Sequence, residues 1–290
     1  MENNSQIYQQ RRAERERPPR FNKRNYIFIA VALLIVSGAV VAIAQCNGGE
    51  KDAGALYRNV EELQLVKLPD GTPEILKEYT GFTVSFNKLH HQPNYVAWEL
   101  TAAEARGSLP RSSNFRPDFS VDGCATLDDY KNSGYSRGHI APAGDMKWST
   151  QAMEDSHFLT NICPQTTQLN GGRWSTLENK CREWAIRDGA IVIISGPILS
   201  DSISRTIGRS RVSVPDRFFK VILAPYVNPP RAIGFIMPND PPYDALEAMA
   251  TSVDIIEQIT GFDFFSALPD EIEDKIEQEV KFRDWNRRSR

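Results

Sequence analysis

From Tyr26 to Ala44 the chain runs nineteen residues without a charge: Tyr-Ile-Phe-Ile-Ala-Val-Ala-Leu-Leu-Ile-Val-Ser-Gly-Ala-Val-Val-Ala-Ile-Ala. Coiled as a helix it reaches roughly 28 Å at ~1.5 Å per residue, about the thickness of a bilayer core. The run is apolar on every face, unlike a helix that packs one stripe against a globular core. A cleaved signal peptide would have an apolar region of only ~7–15 residues ending at small side chains. Ile43-Ala44-Gln45-Cys46 approaches a lipoprotein cleavage site, but Gln45 is too large for the residue before the Cys. The run therefore predicts an uncleaved transmembrane anchor over 26–44. Arg20, Lys23 and Arg24 stand just before it. Positive flanks stay cytoplasmic, so residues 1–25 are expected to form a basic cytoplasmic tail, with the rest on the extracytoplasmic (periplasmic or external) side.

The 290 residues leave room behind such an anchor for one large domain. Asn47-Gly48-Gly49-Glu50-Lys51-Asp52 is polar and Gly-containing, so 45–70 reads as a linker, 71–282 as the folded domain and 283–290 as a short basic tail. The net charge of −3 is unevenly placed: residues 1–25 carry a surplus of four positive charges, leaving −7 on the remainder. That excludes the broad basic footprint of a tight nucleic-acid binder. Any polyanion must be held by a few local Arg residues, weakly and with salt sensitivity. Cys46, Cys124, Cys163 and Cys181 fit neither a zinc pattern nor a CxxC motif, and read as buried or free thiols; Cys163 and Cys181 would pair only if the fold brings their neighbourhoods together, which sequence does not decide.

Strand composition marks 79–86, 94–101, 190–197, 218–224 and 232–237, and a Pro-containing turn after His91 invites the first two to pair as a hairpin. Helical patterns cover 154–160, 173–187, 245–260 and 270–280, with Gly189 and Gly261 as stops. The acidic run from Asp270 to Glu279 reads as a solvated face, and His90-His91 as an exposed turn.

Chemistry concentrates between Gly134 and Arg182. Among the four histidines, His139 follows Arg137-Gly138 in a polar, turn-like setting, while His157 reads as a helix or core-edge residue. A base working near neutral pH is most often His, and Gly138 removes a side chain so that a substrate backbone can approach. Read alone, the motif also fits a structural histidine. Asn170, Trp174, Glu178 and Arg182 recur at i, i+4 spacing along one helical stripe. An amide oxygen with a carboxylate suits a hard cation that keeps several waters. The same residues also fit a helix cap and an ordinary Glu178–Arg182 surface pair. The chain contains no G-x-S-x-G elbow, P-loop or G-x-G-x-x-G fingerprint.

Together these residues resemble the DNA/RNA non-specific endonuclease family. The likeness rests on Ser136-Arg137-Gly138-His139, on Asn161-Ile162-Cys163-Pro164-Gln165, and on Asn170 followed by Trp174 and Glu178. It runs from about Phe82 to Glu271, with the motifs in the family's order. The resemblance implies an α+β fold, an antiparallel sheet flanked by helices with a ββα-metal active site. It implies His139 as general base, Asn170 as the Mg²⁺ ligand (Mn²⁺ as an alternative) and Glu178 reaching the ion through water. Arg137 and Arg182 match phosphate-contacting positions, and Arg111 and Arg116 compete for a further one. The first motif residue departs from the family: Ser136 stands where Asp is usual.

The reaction these parts imply is hydrolysis of DNA and RNA phosphodiester bonds without strong sequence preference, leaving 5′-phosphates. Two other classes meet the same residues. A catalytically dead nuclease fold that only binds nucleic acid draws support from Ser136 alone. A small-substrate phosphodiesterase would cut nitrophenyl phosphates but not a plasmid.

Overall fold

The computed structural model describes residues 60–199 and 205–286. The expected tail and anchor, 1–25 and 26–44, lie outside the described residues. Among the described residues no helix is long and apolar enough to cross a membrane.

The strands, in chain order, are β1 (Ile75–Tyr79), β2 (Phe82–Asn87), β3 (Gln92–Thr101), β4 (Ser136–His139), β5 (Ile162–Gln165), β6 (Ala190–Pro197), β7 (Thr206–Ile207), β8 (Val212–Ser213), β9 (Arg217–Ala224), β10 (Arg231–Pro238) and β11 (Ala250–Thr251). The four longest α-helices are α1 (Thr150–Asp155), α2 (Ser175–Asp188), α3 (Val253–Thr260) and α4 (Asp270–Glu277). Seven strands form one sheet in the order β1-β2-β3-β6-β9-β10-β11, and every neighbouring pair is antiparallel. The α+β expectation of an antiparallel sheet with flanking helices holds.

The continuous apolar runs of β6 and β9 follow from burial on both faces. Successive side chains of a strand point to opposite sides. Ile191 and Ile193 enter one core with Phe218, Ile222 and the α2 residues Leu177, Cys181, Trp184 and Ala185. Val192 and Ile194 enter the other with Phe219, Val221 and Leu223, covered by Val253, Ile256 and Ile276 of α3 and α4. Each of these isoleucines is fully buried, so truncation of one to Ala costs about 2–5 kcal/mol. The sheet thus separates two faces, and the motif-bearing hairpin β4–β5 belongs with α2 on the first.

Several expectations shift. The apolar run 79–86 is cut by a turn at Thr80-Gly81, where Gly81 has φ +87°, and becomes the β1–β2 hairpin. The β2–β3 pairing is as expected, with Thr83 opposite Ala97. The helix expected over 245–260 breaks into a 3₁₀ turn (Leu246–Met249), the edge strand β11 and α3, which Ser252 caps and Gly261 (φ +73°) ends. Part of the expected linker, 60–70, packs into the domain: Leu63 is 1% exposed, and Lys67 pairs its backbone with Asp263. At the other end Trp285, inside the expected basic tail, is fully buried against Trp184. The acidic run is not wholly solvated either, because Glu277 is 5% exposed. Periodicity shows a helix's apolar stripe, but not which neighbour closes over its polar side.

Candidate active site

β4 and β5 pair antiparallel with Gly138 opposite Cys163 and His139 opposite Ile162. A Cβ at Gly138 would stand 2.2 Å from the Gln165 Oε1. The glycine clears space for a buried protein amide, not for a substrate backbone as expected from sequence. Asn161 is fully buried. Its Oδ1 accepts from the Ala141 amide at 2.9 Å, and its Nδ2 donates to the carbonyls of Ala141 and Ser156, each at 2.9 Å. The Asn and Gln of the second motif therefore shape the turn that follows His139 and the strand beside it.

His139 is 5% exposed, and its Nε2 is buried without a hydrogen-bond partner. Its ring meets Phe115 at 5.1 Å and His157 at 4.9 Å, centroid to centroid. Burial first, then His157, Arg111 and Arg137, hold its pKa well below the usual imidazole value. Loss of solvent and nearby positive charge both disfavour imidazolium and favour the neutral ring. His157 is fully buried, not a core-edge residue, and its Nδ1 donates to the Met153 carbonyl at 2.8 Å. That bond selects the tautomer with a bare Nε2.

The second half of the site begins at Thr166, whose Oγ1 accepts from the Leu169 amide and caps a short helical turn. Residues Asn170–Trp174 then form a π-helical turn, with Gly172 at φ −110° and ψ −108°, before α2 runs on regularly. The single i, i+4 stripe expected from Asn170 to Arg182 is interrupted here. Trp174 turns fully inward, and its Nε1 donates to the His139 carbonyl at 3.1 Å, tying the helix to the strand that carries the histidine.

Glu178 is half-buried. Burial pushes its carboxyl up to about 7, helped by Asp145 and opposed by Lys220, Arg182 and Arg111. Arg182 does not pair with Glu178. Its guanidinium donates to Asp145 Oδ1 and to Asn179 Oδ1, each at 2.6 Å. Asp145, 1% exposed, also accepts from the Trp98 indole at 3.1 Å. Lys220, likewise 1% exposed, lies 4.9 Å from the Trp98 ring and 4.5 Å from the Trp174 ring and donates to Ser195 Oγ. The buried Asp145 and Lys220 thus meet the half-buried Glu178 and Arg182.

A cleft of about 590 Å³ is walled by Arg111, Phe115, Tyr135, Ser136, Arg137 and Asn170 among others. Arg137 lies 4.3 Å over the Phe115 ring. Arg111 lines this cleft, and its charge acts on His139, His157 and Glu178. Arg116 is used otherwise: it stacks 4.1 Å over Phe158, and its backbone bonds to His157 and Leu159. The geometry separates the two arginines that sequence left in competition. The Ser136 hydroxyl meets the Thr167 hydroxyl at 3.1 Å.

These residues fit a hard cation. Asn170 reaches the cleft wall with no side-chain hydrogen bond among the described residues, and Glu178 is a carboxylate whose neighbouring Arg is committed elsewhere. An amide oxygen and a carboxyl oxygen are hard donors, which suit Mg²⁺ better than zinc. Cys163 and Cys181 are both buried and free, so no disulfide joins them. Sequence reasoning missed His157, Lys220 and Asp145. Only a buried lysine in a strand as apolar as β9 signals such a network.

The sequence profile of the DNA/RNA non-specific endonuclease family matches residues 60–271. Among curated proteins, the zebrafish (Danio rerio) mitochondrial nuclease EXOG is 37% identical over 218 residues, covering 68% of this chain and 64% of its own length. A nuclease of the cyanobacterium Nostoc is 32% identical over 214 residues, covering 69% of this chain and 76% of its own. The chain spans less than two thirds of the zebrafish protein's length. A solved structure of the EndoG/EndoGI complex superposes with a TM-score of 0.62 at 24% identity, over 67% of this chain and 86% of that one, and shares the fold. With both the profile and the order of the motifs in agreement, the chain belongs to the DNA/RNA non-specific endonuclease family.

Proposed function

We propose that this chain is a metal-dependent endonuclease that hydrolyses DNA and RNA phosphodiester bonds without strong sequence preference and leaves 5′-phosphates. One observation carries the reading: a buried, uncharged His139 with a free Nε2 stands behind a cleft walled by Arg111, Arg137 and Asn170. Family membership supports the same chemistry. His139 takes the proton from water, and the oxygen attacks phosphorus opposite the leaving 3′ oxygen. Because the nucleophile is water and not a ribose hydroxyl, the 2′ position is not needed. Arg111 and Arg137 hold the phosphate through charge-assisted hydrogen bonds. Asn170, and Glu178 through water, would hold Mg²⁺ or Mn²⁺, which would supply charge neutralisation at the phosphate. Arg182 serves by keeping α2 on Asp145 and by placing a positive charge near Glu178.

Plasmid nicking with Mg²⁺, with EDTA, and with Mg²⁺ restored tests this reading. Cutting should stop with chelator and return with the ion. Equal nicking in chelator, or turnover of nitrophenyl phosphates with none of plasmid, would overturn it. The uncharged run 26–44 behind Arg20, Lys23 and Arg24 supports a membrane anchor with the domain on the extracytoplasmic side. A protease added to spheroplasts should digest the domain; protection until lysis refutes the orientation.

A further inference from the structure

On the face of the sheet away from the cleft, three carboxylates converge. Asp254 lies in the first turn of α3, Glu257 one turn further on, and Glu277 ends α4. One oxygen from each lies within 4.8 Å of the others. Acidic clusters of this kind are common on surfaces and mean little by themselves. A second observation sets this one apart: Glu277 is 5% exposed, and its Oε1 is buried without a hydrogen-bond partner. A buried carboxylate without a donor is costly. The position adds to the cost, since the C-terminal end of a helix favours cations. Burial and the carboxylates of Glu257, Glu273, Asp254 and Asp263 push Glu277 up to about 9. Lys67 is spent on Asp263 at 2.9 Å. Glu257 receives one amide hydrogen, from Phe264 at 2.8 Å, which leaves its carboxylate capacity to spare.

Ligand type selects the occupant. Three carboxylates, with one oxygen of each within 4.8 Å of the others, are a calcium-type set, whereas magnesium is usually held by one or two carboxylates and keeps most of its water. Water completes the six to eight oxygens, about the number calcium takes. We propose that Asp254, Glu257 and Glu277 bind a calcium ion that clips α3 to α4 behind the sheet. The ion is structural, and the cleft does not depend on it.

Equilibrium dialysis with labelled calcium on the full chain tests this, with Asn170→Ala as background so that the cleft amide contributes nothing. The Asn170→Ala protein should bind one calcium. Adding Glu277→Gln should weaken that binding at least 10-fold, and Asp254→Asn is the second variant should the first fold poorly. With calcium 100-fold above its Kd, Tm should rise by roughly 5–10 °C, and this rise should vanish in Glu277→Gln. Mg²⁺-driven nicking by Glu277→Gln in an otherwise unaltered chain should match the parent. No calcium bound by Asn170→Ala, or parent-like affinity in the carboxylate variants, would overturn the proposal and leave Glu277 as the holder of a buried proton.

Discussion

The two faces of the sheet handle buried charge in opposite ways. Under the cleft, Asp145 and Glu178 lie among Arg182 and Lys220, and Asp145 bonds directly to the arginine and to an indole. Behind the sheet, Asp254, Glu257 and Glu277 lie together, with Lys67 turned aside to Asp263. Both are expensive concentrations of charge in partly dry surroundings. The first is balanced largely by the chain's own side chains, with Glu178 left to face the ion proposed at the cleft. The second is balanced only by a proton or an ion. A buried network with its own counterions holds geometry, whereas one without them awaits a ligand.

The sharpest way to break this contrast is Lys220→Met. Removing one partner from a buried charge group costs about 3–5 kcal/mol, so a large fall in denaturant midpoint is expected. A variant as stable as the parent would show that the lysine is dispensable to the acids around it. Next in size is His139→Ala. Plasmid nicking should fall at least ~10²-fold, the lower end of general-base contributions, when measured below the variant's own melting transition. Parent-rate nicking by a normally folded variant would remove the base assignment.

Arg111→Ala should weaken substrate binding by about 10-fold or more, since hydrogen bonds to charged groups contribute about 1.5–3 kcal/mol. Arg116→Ala should instead lower Tm through its lost stacking on Phe158, with a smaller effect on cutting. The reverse outcome would exchange their roles. The smallest effect concerns pH. The folded-state pKa values of His139 and His157 are both lowered. Below about pH 6.5 the unfolded chain therefore binds more protons than the folded one, and stability falls with falling pH. Each histidine contributes about 1.4 kcal/mol per pH unit until its folded form titrates. His139→Asn should flatten the fall in Tm between pH 6.5 and 5; an unchanged slope would mean the ring is protonated in the native state.

How far the sequence disclosed all this depends on the range of the interaction. β6 was readable residue for residue, because eight consecutive buried positions leave a continuous apolar run. The three motifs were legible, but their roles were only partly so. Gly138 looked like a substrate-side feature and turned out to support the fold, since its partner, Gln165, is a neighbour only after β4 and β5 pair. The helical stripe from Asn170 missed the π turn, because Gly171-Gly172 gives no periodicity to read. His157 and Glu277 were taken for peripheral residues for one reason: what buries them comes from elsewhere in the chain. Phe115 packs against the first, and the second ends a helix that packs over β10.

The hydrogen bond from Trp174 to the His139 carbonyl joins two segments that sequence presents as separate motifs. Mechanically it is a pin through two levers. If the helix slides, the strand that bears the imidazole is drawn the same way, so the separation between proton acceptor and amide varies less than either position does. Core repacking elsewhere in the sheet can then move the pair as a unit without misaligning it. The tolerance is bought at a single joint, and an indole exchanged for a phenyl ring would let the two motifs wander independently while each stayed folded.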